Sequence, residues 1–183
     1  MTKTLYKKNL KNLIKNHAYY PELEHDACGV GFVSSTDGKR TRKVVEFGIE
    51  ALKAVWHRGA IDADGKTGDG AGLLIDIPHD YFSRVCEFDI PAQREYAVGM
   101  VFLPKNSNQY NHCKKTFENE ILAQGLTLLG WRKVPVDSSQ LGAIALASEP
   151  NIEQLFIGKN DEISETDFKA KLYAARKITE HAI

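Results

Sequence analysis

Several strand-like segments follow one another in the second half of this chain without a helix-like segment between each pair. Leu126 to Val134, Leu141 to Ala147 and Ile152 to Ile157 each carry apolar residues over a strand's length. Tyr96 to Leu103 has the same character and is closed by Pro104. Consecutive strands of this kind favour antiparallel sheets with helices packed outside them. The sequence therefore predicts an α+β fold.

Helical spacing marks three further segments, and the first half contributes two more predicted strands. Apolar residues at helical spacing predict a helix from Arg42 to His57, with Val45, Ile49, Leu52 and Trp56 on its inner face. A second helix is expected from Asn108 to Gln124, and a third from Ser164 to Ile183. Ser164 is the expected N-cap of the third helix, with Asp167 near position N3. The additional strands are expected at Cys28–Ser34 and Ala71–Ile77.

Composition restricts the classes of function. The 183 residues suffice for one domain with a real core, and the 24 basic residues balance the 24 acidic ones. This balance gives no electrostatic case for binding nucleic acid or an anionic membrane. No apolar run reaches the roughly 20 residues that span a bilayer. The three cysteines, Cys28, Cys86 and Cys113, are widely spaced, which disfavours a zinc site or disulfide framework and fits a reducing cytoplasm.

Cys28 is the strongest candidate for chemistry. It follows a basic leader, residues 1–27, that contains no apolar core of a secretion signal. Cleavage after Ala27 would give Cys28 both a thiol and a free α-amine, and an α-amine with a pKa of about 7.7–8.0 can take up the thiol proton. Taken alone, a single cysteine is more often a small buried apolar residue.

The surrounding motifs resemble the class II glutamine amidotransferase domain at the front of the large chain of glutamate synthase. The resemblance runs from about His25 to Ile183, and its blocks occur in the family's order. The blocks are His25 to Phe32, His57 to Ala60, Thr67 to Ile75, Tyr96 to Pro104, Leu129 to Arg132, Phe156 to Gly158 and Lys171 to Lys177.

This resemblance implies a four-layer αββα sandwich of antiparallel sheets, the fold of N-terminal nucleophile hydrolases. Residues 1–27 would be a propeptide, and residues 28–183 the N-terminal part of the amidotransferase domain. Cys28 would attack the side-chain amide of L-glutamine, using its own amine as the base. Arg58 and Gly59 would support the nucleophile and the substrate's surroundings. Ammonia would then join 2-oxoglutarate elsewhere in the enzyme.

The resemblance also implies partners and cofactors outside this segment. The partners would be the remainder of the glutamate synthase large chain and a reductase subunit, in the cytoplasm. FMN and an iron–sulfur cluster would belong to other regions, with no cofactor or metal in this one. The family's Asn-Gly segment, which forms the oxyanion hole, is not found in this sequence. We therefore expect the 183-residue chain alone to be a truncated fragment with little glutaminase activity.

Other interpretations of these residues remain open. Arg58 and Gly59 also fit a helix C-terminus, with the arginine complementing the helix dipole and the glycine as C′ cap. Gly65 to Gly72 lacks the glycine at position 60 that a phosphate-binding loop needs, so a turn is favoured. His25, Asp26 and Cys28 lack a downstream residue at metal-site spacing. By the resemblance, His57 is structural.

Two rival functions are compatible with the same motifs. One is another N-terminal-cysteine amidotransferase or hydrolase, since the Cys-Gly and Arg-Gly pairs are shared among such enzymes. The other is a truncated, non-catalytic domain kept for interaction. The Gly68 to Gly72 and Gly130 to Arg132 blocks favour glutamate synthase. Cys86 and Cys113 lie on predicted apolar faces and are expected in the core, and Trp56 and Trp131 are expected to pack.

Overall fold

A computed structural model describes residues 3–16, 29–56 and 59–183. The chain divides into two compact units. The first unit is Met1–Ala60 with Asp69–Leu73, and the second is Ile61–Gly68 with Leu74–Ile183. In chain order, the helices and strands of the described residues are α1 (Lys3–Lys15), α2 (Arg42–Ala54), α3 (His79–Val85), β1 (Tyr96–Leu103), α4 (Ser107–Ala123), β2 (Thr127–Lys133), a 3-10 turn (Ser138–Gln140), α5 (Ala143–Ala147), β3 (Asn151–Gly158) and α6 (Glu165–Ala182).

The second unit is built on an antiparallel three-stranded sheet in the order β1-β3-β2. β1 pairs with β3 from Tyr96 opposite Gly158 to Leu103 opposite Asn151. β2 runs from Thr127 opposite Gly158, with a bulge between Leu128 and Gly130. This sheet confirms the mixed α/β character and antiparallel pairing expected from the sequence.

Alternation along the strands divides the core between the two faces of the sheet. One face packs against α4 and α6 through an apolar cluster. Its buried members are Val101, Leu103, Cys113, Ile121, Leu126, Leu155, Ile157 and Phe168. On the other face, Phe82 and Tyr96 surround Phe156, which is completely buried. Phe82 meets Phe156 edge-to-face at 5.0 Å between ring centroids.

Several local predictions are confirmed. β1 has the predicted bounds, and α4, β2 and β3 each differ by one residue at either end. α6 begins after Ser164, whose hydroxyl oxygen accepts the Asp167 amide hydrogen at 3.1 Å, as expected for an N-cap. Trp131 packs edge-to-face on Phe117, and Cys113 is buried.

Three predicted strands are wrong. The described part of Cys28–Ser34, residues 29–34, forms no ladder, and Val30 and Phe32 are exposed. Residues 71–77 form no ladder either, because a strand-like segment joins a sheet only where a partner strand pairs with it. Residues 143–147 of the third segment are helical and form α5.

The helix α2 is shorter than predicted. It ends at Ala54, whereas the prediction extended to His57, which lies outside the described residues. Val45, Ile49 and Leu52 are half-buried, as their spacing indicates. Trp56 lies beyond the helix end and is 75% exposed, so its predicted packing is wrong.

Candidate active site

The two side chains expected to carry the chemistry, Cys28 and Arg58, lie outside the described residues. Gly59 is described and exposed, and its amide donates to the Trp56 carbonyl at 3.1 Å. Gly59 is not the C′ cap of α2, because that helix ends at Ala54 and its C-cap is Val55. The interpretation of this glycine as a helix terminator is therefore wrong.

The described neighbours of the two predicted residues lie side by side in the first unit. An ideal Cβ on Gly29 would lie 3.7 Å from the Cβ of Val55, which is van der Waals contact. Gly29 directly follows Cys28 in the chain, and Val55 precedes Arg58 by three residues. The backbone just after the predicted nucleophile thus lies close to the segment before the predicted arginine.

Asp69 contacts the turn that follows Arg58. The Ala60 amide donates to the Asp69 carboxylate at 2.9 Å, and the Ala60 carbonyl accepts the Asp69 amide hydrogen at 3.3 Å. Both backbone groups of Ala60 are therefore bonded to one residue nine positions downstream. All of these groups belong to the first unit.

A second carboxylate organises the neighbouring part of the loop, within the second unit. Asp64 accepts the hydroxyl of Thr67 at 2.5 Å and the amides of Thr67 and Lys66 at 2.7 and 3.0 Å. It also accepts the Ile144 amide at 3.2 Å, while the Thr67 hydroxyl oxygen accepts the Ala145 amide. These bonds, the Thr67 hydroxyl first, hold the pKa of Asp64 well below its ordinary value.

Because Gly142 has no side chain, the side chains of Asp64 and Thr67 can lie against the start of α5. An ideal Cβ there would lie 2.6 Å from the Thr67 amide nitrogen, and closer still to the side-chain oxygens of Asp64 and Thr67. Gly142 is the N-cap residue of α5 and has no side chain to cap it. Asp64 and Thr67 instead supply the missing acceptors from about 80 residues away in sequence.

Gly65 has φ +69°, which supports the predicted turn.

Among the described residues, no group of three or more His, Cys, Asp and Glu side chains is arranged to hold a metal. His25 and Asp26 lie outside them. A cavity of about 460 Å³ in the second unit, lined in part by Lys105, Tyr110 and Glu153, includes none of the predicted site residues.

The other two thiols are poorly placed for nucleophilic attack. Cys113 is 6% exposed and lies in the apolar cluster against α4 and α6. Cys86 is half-buried beside the aromatic cluster. Burial raises the pKa of the Cys86 thiol, and the charge of Arg132 opposes this only partly.

Comparison with known proteins now identifies the family. Residues 28–183 match the family described as "Glutamine amidotransferases class-II". The chain belongs to the class II glutamine amidotransferases. Among similar proteins, the "Glutamate synthase [NADPH] large chain" of Azospirillum brasilense is 47% identical over 182 residues, which cover 97% of this chain and 12% of that protein.

Two further relatives carry the same kind of name. The "Glutamate synthase [NADH]" of Saccharomyces cerevisiae is 44% identical, covering 89% of this chain and 8% of that protein. The "Glutamate synthase [NADPH] large chain" of Bacillus subtilis is 39% identical, covering 89% of this chain and 11% of that protein. This amidotransferase chain thus spans about a tenth of the length of the curated relatives it matches.

Within the parts of this amidotransferase chain that the structure describes, no helix is long and apolar enough to cross a membrane. The sequence alone assigned no individual role to Asp64 or Asp69, although Asp69 lies in one of the blocks that carry the resemblance and the loop was predicted to form a turn. An aspartate at the start of a turn typically accepts hydrogen bonds from the backbone amides two or three residues later. That signal predicts local bonding, but not the partners Ile144 or Ala60.

Proposed function

We propose that this chain is the glutaminase part of a glutamate synthase large chain. The structural observation that supports it is the closeness of the Gly29 backbone to Val55, because Gly29 follows Cys28 and Val55 lies three residues before Arg58. The family match, which begins at residue 28, supports it from the sequence side. The substrate is L-glutamine, and the products are glutamate and ammonia.

In the proposed mechanism, the Cys28 thiol adds to the side-chain amide carbon of glutamine. The α-amine of Cys28 takes the thiol proton and returns it to the departing nitrogen, so that ammonia leaves and a glutamyl thioester remains. Water then hydrolyses the thioester to glutamate and frees the thiol. Arg58 and Gly59 support the nucleophile from the turn before Ala60.

This mechanism requires a free α-amine at Cys28, so residues 1–27 are proposed to be a removable leader and residues 28–183 the N-terminal part of the amidotransferase domain. The described side chains of α1, which lies in that leader, are exposed. Intact-mass analysis of active enzyme should give a chain that begins at Cys28. An active enzyme that retains residues 1–27 would contradict the mechanism.

The finer fold proposal is a four-layer αββα sandwich. It is supported by the sheet face opposite α4 and α6, where Met100 and Phe102 are 52% and 65% exposed. A second sheet packed on that face would bury both side chains.

Partners and cofactors of the longer enzyme are also proposals. The rest of the large chain, a reductase subunit and a cytoplasmic location follow from the resemblance. The resemblance assigns FMN and an iron–sulfur cluster to other segments, and the two described thiols do not fit a cluster, because Cys113 is buried and Cys86 is half-buried in separate apolar clusters. No step of the glutaminase reaction passes through either group.

The decisive experiment uses Cys28→Ala in the longer chain. Glutamine-dependent glutamate synthesis should be abolished, whereas synthesis from added ammonia should persist. A glutamine analogue with an electrophilic side chain should label Cys28 and spare Cys86 and Cys113, since Cys113 is buried and the raised pKa of the half-buried Cys86 thiol slows its reaction. Comparable labelling of either other cysteine would overturn the assignment.

A further inference from the structure

We propose that Asp69 is a positioning residue for the glutaminase reaction, and this inference rests on the proposed function above. Asp69 fixes Ala60 through two hydrogen bonds, one to the Ala60 amide at 2.9 Å and one from the Asp69 amide to the Ala60 carbonyl. Ala60 lies two residues after Arg58. The carboxylate thereby sets where the chain can run immediately after the proposed supporting arginine.

The chain before Arg58 is restrained as well. Gly59 donates its amide to the Trp56 carbonyl at 3.1 Å, so the described residues on the two sides of positions 57–58 are bonded to each other. In sequence, Arg58 therefore lies inside the span of one backbone bond and two residues before the residue that is bonded to Asp69. A glycine at position 59 has no Cβ to limit its backbone, so the bonds at Gly59 and Ala60 are what restrict the backbone that follows Arg58.

The exposure of these groups indicates that their hydrogen bonds contribute little to the stability of the fold. Gly59, Ala60 and Asp69 are all exposed, and an exposed hydrogen bond contributes little net free energy because water can replace it. A displacement of about 1 Å in a reacting group's support can nevertheless cost about 100-fold in rate. Asp69 should therefore affect turnover strongly and folding weakly.

The test compares three variants in the longer glutamate synthase chain. Asp69→Ala removes the acceptor and should lower glutamine-dependent turnover by about 10- to 100-fold. Asp69→Asn keeps a side-chain oxygen that can accept the Ala60 amide and should restore most of the activity. Asp62→Ala is the matched control, because the bond the structure gives its carboxylate is to the adjacent Ala63 amide. It should stay within about twofold of the unmodified enzyme.

Two further readouts separate positioning from a loss of structure. Synthesis from added ammonia should be unchanged in Asp69→Ala, and the melting temperature should move little. The rate at which an electrophilic glutamine analogue labels Cys28 should fall in step with turnover. The inference is overturned if Asp69→Ala keeps activity within about twofold, if Asp69→Asn is as impaired as Asp69→Ala, or if ammonia-dependent synthesis falls in parallel.

Cys28→Ala in the same chain distinguishes a wrong role for Asp69 from a wrong proposed function. If Cys28→Ala is inactive with glutamine while Asp69→Ala is fully active, only the role of Asp69 is wrong. If Cys28→Ala remains active with glutamine, the proposed function itself is wrong.

Discussion

Glu153 is a charged residue in the buried part of the sheet, with only 2% of its surface exposed. Lys114 places its ammonium 2.8 Å from one carboxylate oxygen, and the Tyr110 hydroxyl donates to the other. The same ammonium lies 4.4 Å from the centre of the Trp131 ring. A carboxylate in this position is tolerated because its charge is paired and its oxygens are hydrogen-bonded.

Lys114→Ala should lower the free energy of unfolding by about 3 kcal/mol, because it leaves the Glu153 charge buried without its cation. Lys169→Ala is the matched control, since Lys169 and its partner Glu165 are about 70% exposed. That change should cost no more than about 0.5 kcal/mol. Urea unfolding of the two variants measures both values, and equal losses would contradict the importance of the buried pair.

The same network predicts a dependence of stability on pH. Burial by itself would raise the pKa of Glu153, but the bonds from Lys114 and Tyr110 outweigh it and leave the pKa below its ordinary value of 4.5. A depressed folded-state pKa stabilises the fold above the unfolded pKa and loses that contribution as pH falls through the folded one. Unfolding free energy measured from about pH 5 downward should therefore fall less steeply in Glu153→Gln. Parallel curves would contradict this.

At the scale of elements, local sequence predicted those helices and strands whose determinants are themselves local. α6 follows from Ser164 and Asp167, which bond to each other across the first turn. β1 follows from an apolar run that ends at Pro104, and its partner β3 was also recognised. Residues 29–34 and 71–77 are also rich in apolar residues but have no ladder, because an apolar segment by itself cannot reveal whether a partner strand is present.

The helix α5 was not predicted, because its formation depends on residues that are distant in sequence. Its alanines favour a helix, yet the segment was predicted as a strand because a helix of five residues has few bonds of its own. Its N-terminal amides are capped by Asp64 and Thr67 from a distant loop. The same limit applies to the site: Cys28 and Arg58 were predicted from motifs and stay predictions. The hydrogen bonds between Asp69 and Ala60 could not be predicted from the sequence, because the two residues are brought together only by the fold.

Gly142→Ala should destabilise the second unit by about 2 kcal/mol. The added methyl would occupy the space that the side-chain oxygens of Asp64 and Thr67 fill, so either the cap of α5 or the loop must move. Gly99→Ala is the control, because an ideal Cβ on Gly99 finds its nearest neighbour at 3.9 Å. Thermal unfolding should show a clear loss for Gly142→Ala and a neutral or slightly stabilising effect for Gly99→Ala. A well-tolerated Gly142→Ala would exclude this cap as a stabilising feature.

At the scale of the whole molecule, the sheet of the second unit is covered unequally on its two faces. Helices α4 and α6 cover one face, and Phe82 and Phe88 cover the other near Phe156. Further along β1, Met100 and Phe102 point away from α4 and α6 and are largely exposed. An apolar face of this kind is expected where another layer packs in a larger assembly.

Phe102→Thr tests that expectation by comparing two contexts. Threonine keeps the strand propensity of the position, so within the 183-residue chain the exposed change should alter unfolding free energy by less than about 1 kcal/mol. In the longer amidotransferase, a second sheet would bury Phe102, and its removal should cost about 2–3 kcal/mol. Tyr173→Thr on α6 is the control, because its side chain is 62% exposed on a helix that forms an outer layer of the proposed sandwich. Its own cost includes the lower helix propensity of threonine and should be the same in both contexts. A Phe102→Thr effect that is equally small in both contexts would exclude a second sheet on this face.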